Sequence, residues 1–238
     1  IFTFVQYSTQ MWNPYLAPLF SLILFYFLIF TDFEKKGIKR YVQLFLAGIF
    51  SGLIINFHIS YGLGIFIATL LFLFVCFVQR LFYQDNKKKD ILISFSLLTI
   101  SFGLGLLATF VPFFLFEMRH GFQQIQVVIA TVTSPSAVVG LKGLEKSAIL
   151  IQFFSKPSQI LHLPFLVSIL VICTATVYVA YKIYKKEVVV KENEKKLLLL
   201  IVSSFFSILL LYLTSKNPVW EYHFISLEII FLLGIGFL

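Results

Sequence analysis

Apolar residues along this chain gather in long blocks, at positions 14–30, 41–57, 61–78, 91–116, 160–181, 197–213 and 223–238. Neither the alternation of a half-buried strand nor a single amphipathic stripe organises them. No Asp, Lys or Arg interrupts any block, and Glu228, in the last, is the one acidic residue inside them. A helix needs about 17–25 such residues to cross roughly 30 Å of hydrocarbon. The pattern predicts an all-α fold, a polytopic transmembrane helical bundle with about seven spans, one for each block. Closed barrels need short alternating strands, and none are visible.

The polar intervals fall into two kinds. Those at 31–40, 79–90 and 182–196 carry four, four and six of the 19 Lys and Arg residues. The positive-inside rule places them in the cytoplasm, which predicts a multi-pass protein of the cell membrane. The remaining intervals, 1–13, the turn near 58–61, 117–159 and 214–222, are then extracytoplasmic, with Arg119, Lys142, Lys146, Lys156 and Lys216 as their only Lys or Arg. The 117–159 segment carries Phe122, Ile125, Val128, Ile129 and Val132 at helical spacing, then the breaker Ser134-Pro135-Ser136, then a second amphipathic stretch from Leu144 to Phe154. Two short amphipathic helices resting on the outer membrane surface fit it, as a lid, an acceptor-binding wall or a structural re-entrant element. The fourth block is long and holds Gly103, Gly105 and Pro112, which call for tilt, a kink or close helix packing; Gly48, Gly52, Gly62 and Gly64 are further packing candidates.

Composition agrees with the blocks. Hydrophobic residues make up 59% of the chain and charged residues 13%, about half the share of a soluble domain. Mean hydropathy is +0.94. The net charge of +8 belongs to the loops and sets orientation, so it does not point to nucleic acid. Cys76 and Cys173 sit inside apolar blocks without metal-ligand spacing and read as small buried hydrophobes. The chain opens on Ile1 and stops at Leu238 inside an apolar run, so residues 1–238 are expected to be a single integral membrane domain cut from a larger one.

The chemistry-bearing residues concentrate on the outer side. His58, His120, His162 and His223 all map there, as do Trp12 and Trp220. Ordinary interfacial anchoring accounts for part of this, since Trp, Tyr and His favour the headgroup zone. Two clusters go further: Glu117, Arg119 and His120 after the fourth block, and Glu221, Tyr222 and His223 at the seventh. Arg119 is the one Arg expected on the cation-poor side, and a guanidinium there suits a phosphate, which it can engage bidentately. Glu117 and His120, three residues apart, would share a face on a continuing helix, where the carboxylate can orient the imidazole or help move a proton. A plain Glu–Arg surface pair is the alternative. The chain has no Lys-ended phosphate loop, HExxH, GxSxG or CxxC, and no ionisable residue in mid-span.

Two stretches resemble bacterial GT-C glycosyltransferases, relatives of the protein O-mannosyltransferases and of the aminoarabinose transferase acting on lipid A. They are Gln10-Met11-Trp12-Asn13-Pro14 and Pro112-Phe113-Phe114-Leu115-Phe116-Glu117-Met118-Arg119-His120-Gly121-Phe122, with Glu221-Tyr222-His223-Phe224 a weaker third. The resemblance implies a membrane enzyme that moves a sugar from a polyprenyl-phosphate donor to a protein, lipid or glycan acceptor outside the cytoplasm. It implies that Arg119 and His120 hold the donor phosphate and that Glu221 and His223 line the same cavity; Glu117, Tyr222, Asn13 and His58 are further candidates for substrate binding on the outer side. Trp12 would pack against sugar or lipid. The family's catalytic acid belongs to a first outer loop, expected upstream of Ile1, which would leave this stretch inactive alone. No cofactor is evident and no ligand cluster demands a metal. A transporter or flippase of lipid-linked saccharides is the second reading, and a scaffold or polymerase-like protein the third.

Overall fold

The computed structural model describes residues 16–35, 37–83, 88–123, 125–126 and 191–214, with isolated positions between 151 and 185 and Ile230 and Leu233. They form five helices and, among the described residues, no strand: α1 (Leu16–Phe30), α2 (Ile38–Phe57), α3 (Ile59–Tyr83), α4 (Lys88–Arg119) and α5 (Glu192–Thr214). In α2, in α4, in α5 and over Tyr61–Phe82 of α3, the helix is long and apolar enough to cross a membrane. Helix α1 is equally apolar but only 15 residues long. Five of the seven apolar blocks thus fall on helices. Only isolated positions of the blocks at 160–181 and 223–238 are described, and nearly all of the amphipathic segment at 117–159 lies outside the described residues; among the described residues four apolar spans are present of the seven the sequence predicts.

Helix starts follow local chemistry. Glu192 and Glu194 occupy the first turn of α5, where carboxylates suit the positive end of the helix dipole. Glu194 also reaches back to accept the Lys191 backbone N–H at 2.7 Å, one half of a capping box. Between α2 and α3 the connection is a single residue, His58. Its backbone N–H donates to the Ile54 carbonyl at 2.8 Å, closing α2, while its Nδ1 accepts the Tyr61 N–H at 3.3 Å, opening α3. The imidazole takes the place a Ser or Asp side chain commonly holds at an N-cap.

The closest seam joins α2 and α4, which run parallel and are not neighbours in sequence. Gly48 and Gly52 present a small-xxx-small face to α4 and meet Phe102, Leu106 and Thr109; Gly105 meets Phe45 and Ile49 in return. A Cβ at Gly48 would overlap the Phe102 carbonyl, and one at Gly105 the Phe45 carbonyl. Without a hydrophobic drive between helices in lipid, backbone approach of this kind is what holds such pairs. Helix α1 lies antiparallel to α2, with Phe20 and Phe27 against Phe50. Helix α3 lies against α5, where Gly64 touches Ile208. At the same end, fully buried Ser21 donates to the Ala17 carbonyl at 2.8 Å, which leaves its Oγ to accept the Tyr61 hydroxyl at 3.0 Å.

On α4 the positions Ile93, Leu97, Ile100, Leu104, Leu107, Val111 and Phe114 are all exposed. Their spacing of three and four residues makes one continuous apolar face along the helix, the surface a hydrocarbon environment suits. Pro112 lies inside α4, which continues through it to Arg119. Just before it, Asn56 Nδ2 donates across from α2 to the Thr109 carbonyl at 3.3 Å, in the region where proline disturbs the helix ladder.

These pairings gather the ends of α1 and α3 and the starts of α2, α4 and α5 at one end of the bundle, with Arg40, Arg80, Lys88 and Lys196. This basic end is the one the loop charges mark. The opposite end carries the start of α1, His58 and the termini of α4 and α5.

Candidate functional site

At the far end α4 outruns its neighbours. Asn56, next to last in α2, already pairs with Thr109. Arg119 lies ten residues further, about 15 Å along the axis. Over this overhang Val111, Phe113, Phe114, Leu115, Phe116 and Met118 are exposed. The tip is an aromatic-rich helix end without cover from the described helices.

The helix stops because Gly121 takes a left-handed conformation (φ 67°), followed by Phe122, the one non-glycine positive φ among the described residues (φ 59°). The Phe122 N–H then donates to the Glu117 carbonyl at 2.9 Å, the long bond of a Schellman ending with Gly121 as its glycine. The chain turns back into a new helical turn, in which the Gln126 N–H donates to the Phe122 carbonyl at 3.0 Å. Glu117 is fully buried under this turn, and its Oε2 accepts the Ile125 N–H at 3.2 Å. A carboxylate at the start of a helical segment satisfies an amide that has no carbonyl partner in its own helix.

His120 is exposed. Its ring stacks on Phe116 with centroids 4.0 Å apart, and Nδ1 lies 2.7 Å from the Phe116 carbonyl. A carbonyl only accepts, so Nδ1 carries the proton, and in the neutral ring the lone pair sits on Nε2. Arg119, the adjacent residue, is exposed and makes no hydrogen bond or ion pair with the described residues. The tip thus displays a guanidinium and an imidazole of fixed tautomer side by side.

The structure brings together Glu117, Arg119 and His120, but not in the arrangement the helix spacing predicts. The helix does not continue, and the Glu117 carboxylate turns to Ile125 while the Phe116 carbonyl orients His120. Glu117 pairs with neither Arg119 nor His120. His58 stands apart from the tip, buried at the α2–α3 junction, where its Nδ1 serves the cap. Trp12, Asn13, Glu221, Tyr222 and His223 lie outside the described residues.

Sequence reasoning treated the basic residues as orientation signals and missed how they are used. Lys196 Nζ donates to the Thr31 and Ile29 carbonyls at 3.2 and 3.4 Å, closing the end of α1 from another helix. It also lies 5.5 Å from the Phe33 ring centre. Buried Arg40 donates to the Phe33 carbonyl at 3.3 Å and to the Tyr41 hydroxyl at 2.8 Å. Beside them is a cavity of about 860 Å³ that Arg80 also lines. The available signal was Arg80 itself, flanked by Val78, Leu81 and Phe82 rather than by loop residues. Among the described residues no group of three His, Cys, Asp or Glu is placed to hold a metal ion. Comparison with known proteins finds no matching family model, no similar curated protein and no similar solved structure.

Proposed function

We propose that the chain is part of a multi-pass membrane glycosyltransferase of GT-C type, which transfers a sugar from a polyprenyl-phosphate donor to an acceptor at the face opposite its basic loops. The observation that carries this reading is the α4 tip, where exposed Arg119 and His120 stand at the end of a long apolar helix. A lipid-borne phosphate travels along such a helix and meets the two groups where the aromatic overhang ends. Arg119 would bind the phosphate through parallel N–H···O bonds and stabilise the charge that grows on it as the sugar–oxygen bond breaks. His120, held by Phe116, would add a second contact through Nε2 when protonated. Glu117 would act indirectly, by fixing the turn that ends the helix at this height. The two sequence stretches similar to GT-C enzymes support the same reading, and α4 carries the longer of them.

The test is transfer from labelled polyprenyl-phosphate sugars in membranes carrying the full-length protein. Arg119→Ala is expected to lower transfer about 100-fold, in line with loss of one charge-stabilising group. Intact transfer with unchanged donor affinity in that variant would overturn the phosphate role.

A further inference from the structure

The cavity at the basic end carries a cation, Arg80, that the sugar-transfer reading does not use. It lies where the end of α1, the turn at 31–34, the last turns of α3 and the first turn of α5 meet. Arg80 enters it from α3 with Nε and Nη1 shielded from solvent and without a hydrogen-bond acceptor. Among the described residues no carboxylate forms an ion pair with it. A charged donor without an acceptor is costly, so the arrangement favours an acceptor from outside the chain. Of the charged groups around it, Glu34 attracts Arg80 from beyond ion-pair distance, while Arg40 repels it and is committed to Phe33 and Tyr41. Asp32 is committed as well, to Lys35 and two backbone amides.

The remaining lining says what kind of anion fits. It combines apolar side chains, Ile29, Val75 and Leu199 among them, with charged ones of both signs, including Glu34, Glu192 and Lys195. A free phosphate has no use for the apolar part, whereas an amphiphile matches both. Glu34 and Glu192 would repel a head group of net negative charge and attract one that also carries an amine. The volume, about 860 Å³, is within the usual range for a small-molecule site.

We propose that this cavity holds the head group of a zwitterionic, amine-bearing phospholipid from the leaflet at the basic end, its phosphate on Arg80 and its amine facing Glu34 and Glu192. The proposal is independent of sugar transfer, since it concerns the opposite end of the bundle.

The full-length protein in detergent is titrated with phosphatidylethanolamine, phosphatidylglycerol and inorganic phosphate, and bound lipid is counted by native mass spectrometry. Wild type is expected to bind phosphatidylethanolamine more tightly than phosphatidylglycerol and to ignore inorganic phosphate at the same concentrations. Arg80→Gln should weaken phosphatidylethanolamine binding about tenfold, the effect of losing one charged hydrogen-bonding partner. Lys39→Gln, the same charge change on an exposed residue of the same end, should leave it unchanged. Glu34→Gln should narrow the preference between the two lipids. Equal binding of lipid by Arg80→Gln and wild type overturns the site. Equal affinity of wild type for both lipids overturns the amine contact. Displacement of the lipid by inorganic phosphate overturns the lipid assignment in favour of a soluble phosphate. Should Arg80→Gln not fold, the selectivity of the wild type alone decides.

Discussion

Cations at the two ends of the bundle meet different surroundings. At the basic end Lys196 and Arg40 direct their N–H groups to the carbonyls of Ile29, Thr31 and Phe33, and so close the end of α1 and the turn after it. At the far end Arg119 bonds to none of the described residues, and His120 binds its own helix. The cause is relative helix height. Where several helices end together, each supplies carbonyls that another can cap. Where α4 outruns α2, no described helix end stands beside it to cap, and the polar groups at the tip bond to no other described helix. The α2–α4 seam sets that height, so it is the place to break the contrast. Gly105→Leu puts a side chain into the Phe45 carbonyl, and neither backbone can move aside cheaply. The expected loss is about 3 kcal/mol or more, or failure to fold, read from thermal unfolding in detergent. Gly103→Leu, two residues away and facing open space, should behave nearly as wild type. Similar losses from both would mean that helix propensity, not the seam, governs the fold.

A matched pair of substitutions sharpens the comparison. Lys196→Met keeps all but the terminal atom's length of the side chain and removes its three donors, leaving the Ile29 and Thr31 carbonyls without this partner, at a cost of about 1–3 kcal/mol. Arg119→Met removes a charge that holds nothing among the described residues and should change stability by no more than about 0.5 kcal/mol. Activity should respond in the opposite order, with Arg119→Met impairing donor use far more than it impairs folding. If Arg119→Met destabilises the protein as much as Lys196→Met does, the tip is a structural cap and the contrast between the ends fails.

The sequence made the helices legible because length and lack of charge are one-dimensional properties. The blocks at 41–57, 61–78, 91–116 and 197–213 each became the apolar centre of a helix, and Gly48, Gly52 and Gly105 could be named as packing residues. Their partner could not be named. Helices α2 and α4 are separated by the whole of α3, and only three-dimensional pairing shows that two glycine faces meet. The site was legible as a set of residues, not as an arrangement. Helical spacing puts Glu117 and His120 on one face, but Gly121 ends the helix and the next turn draws the carboxylate away. His58 followed the same pattern: its place at a helix boundary was evident, but its service as a cap depends on a one-residue connection that hydropathy does not fix. The use of Arg80 and Lys196 was hidden because orientation rules explain a basic loop without asking what each cation touches.

The smallest effect concerns the turn after α1, where a carboxylate at the basic end is held mainly by backbone. Asp32 accepts the Glu34 and Lys35 N–H groups at 3.0 and 3.1 Å and pairs with Lys35 Nζ at 3.3 Å. The Lys35 backbone N–H does most to hold its carboxyl below the usual 3.8, against desolvation that would raise it. Because the folded value is lower than the unfolded one, the unfolded chain binds more protons across that interval. The stabilisation is therefore present above about pH 4 and fades as pH falls through the folded value. The Asp32 side chain is 47% exposed, so water screens the pair and the contribution should stay under about 1 kcal/mol. Asp32→Asn should be slightly less stable than wild type at pH 7, with the gap closing below pH 4 in thermal unfolding. Lys35→Ala removes the ammonium and keeps the amide, so most of the pH-dependent gap should survive in it. A gap that vanishes in Lys35→Ala would place the effect in the exposed ion pair.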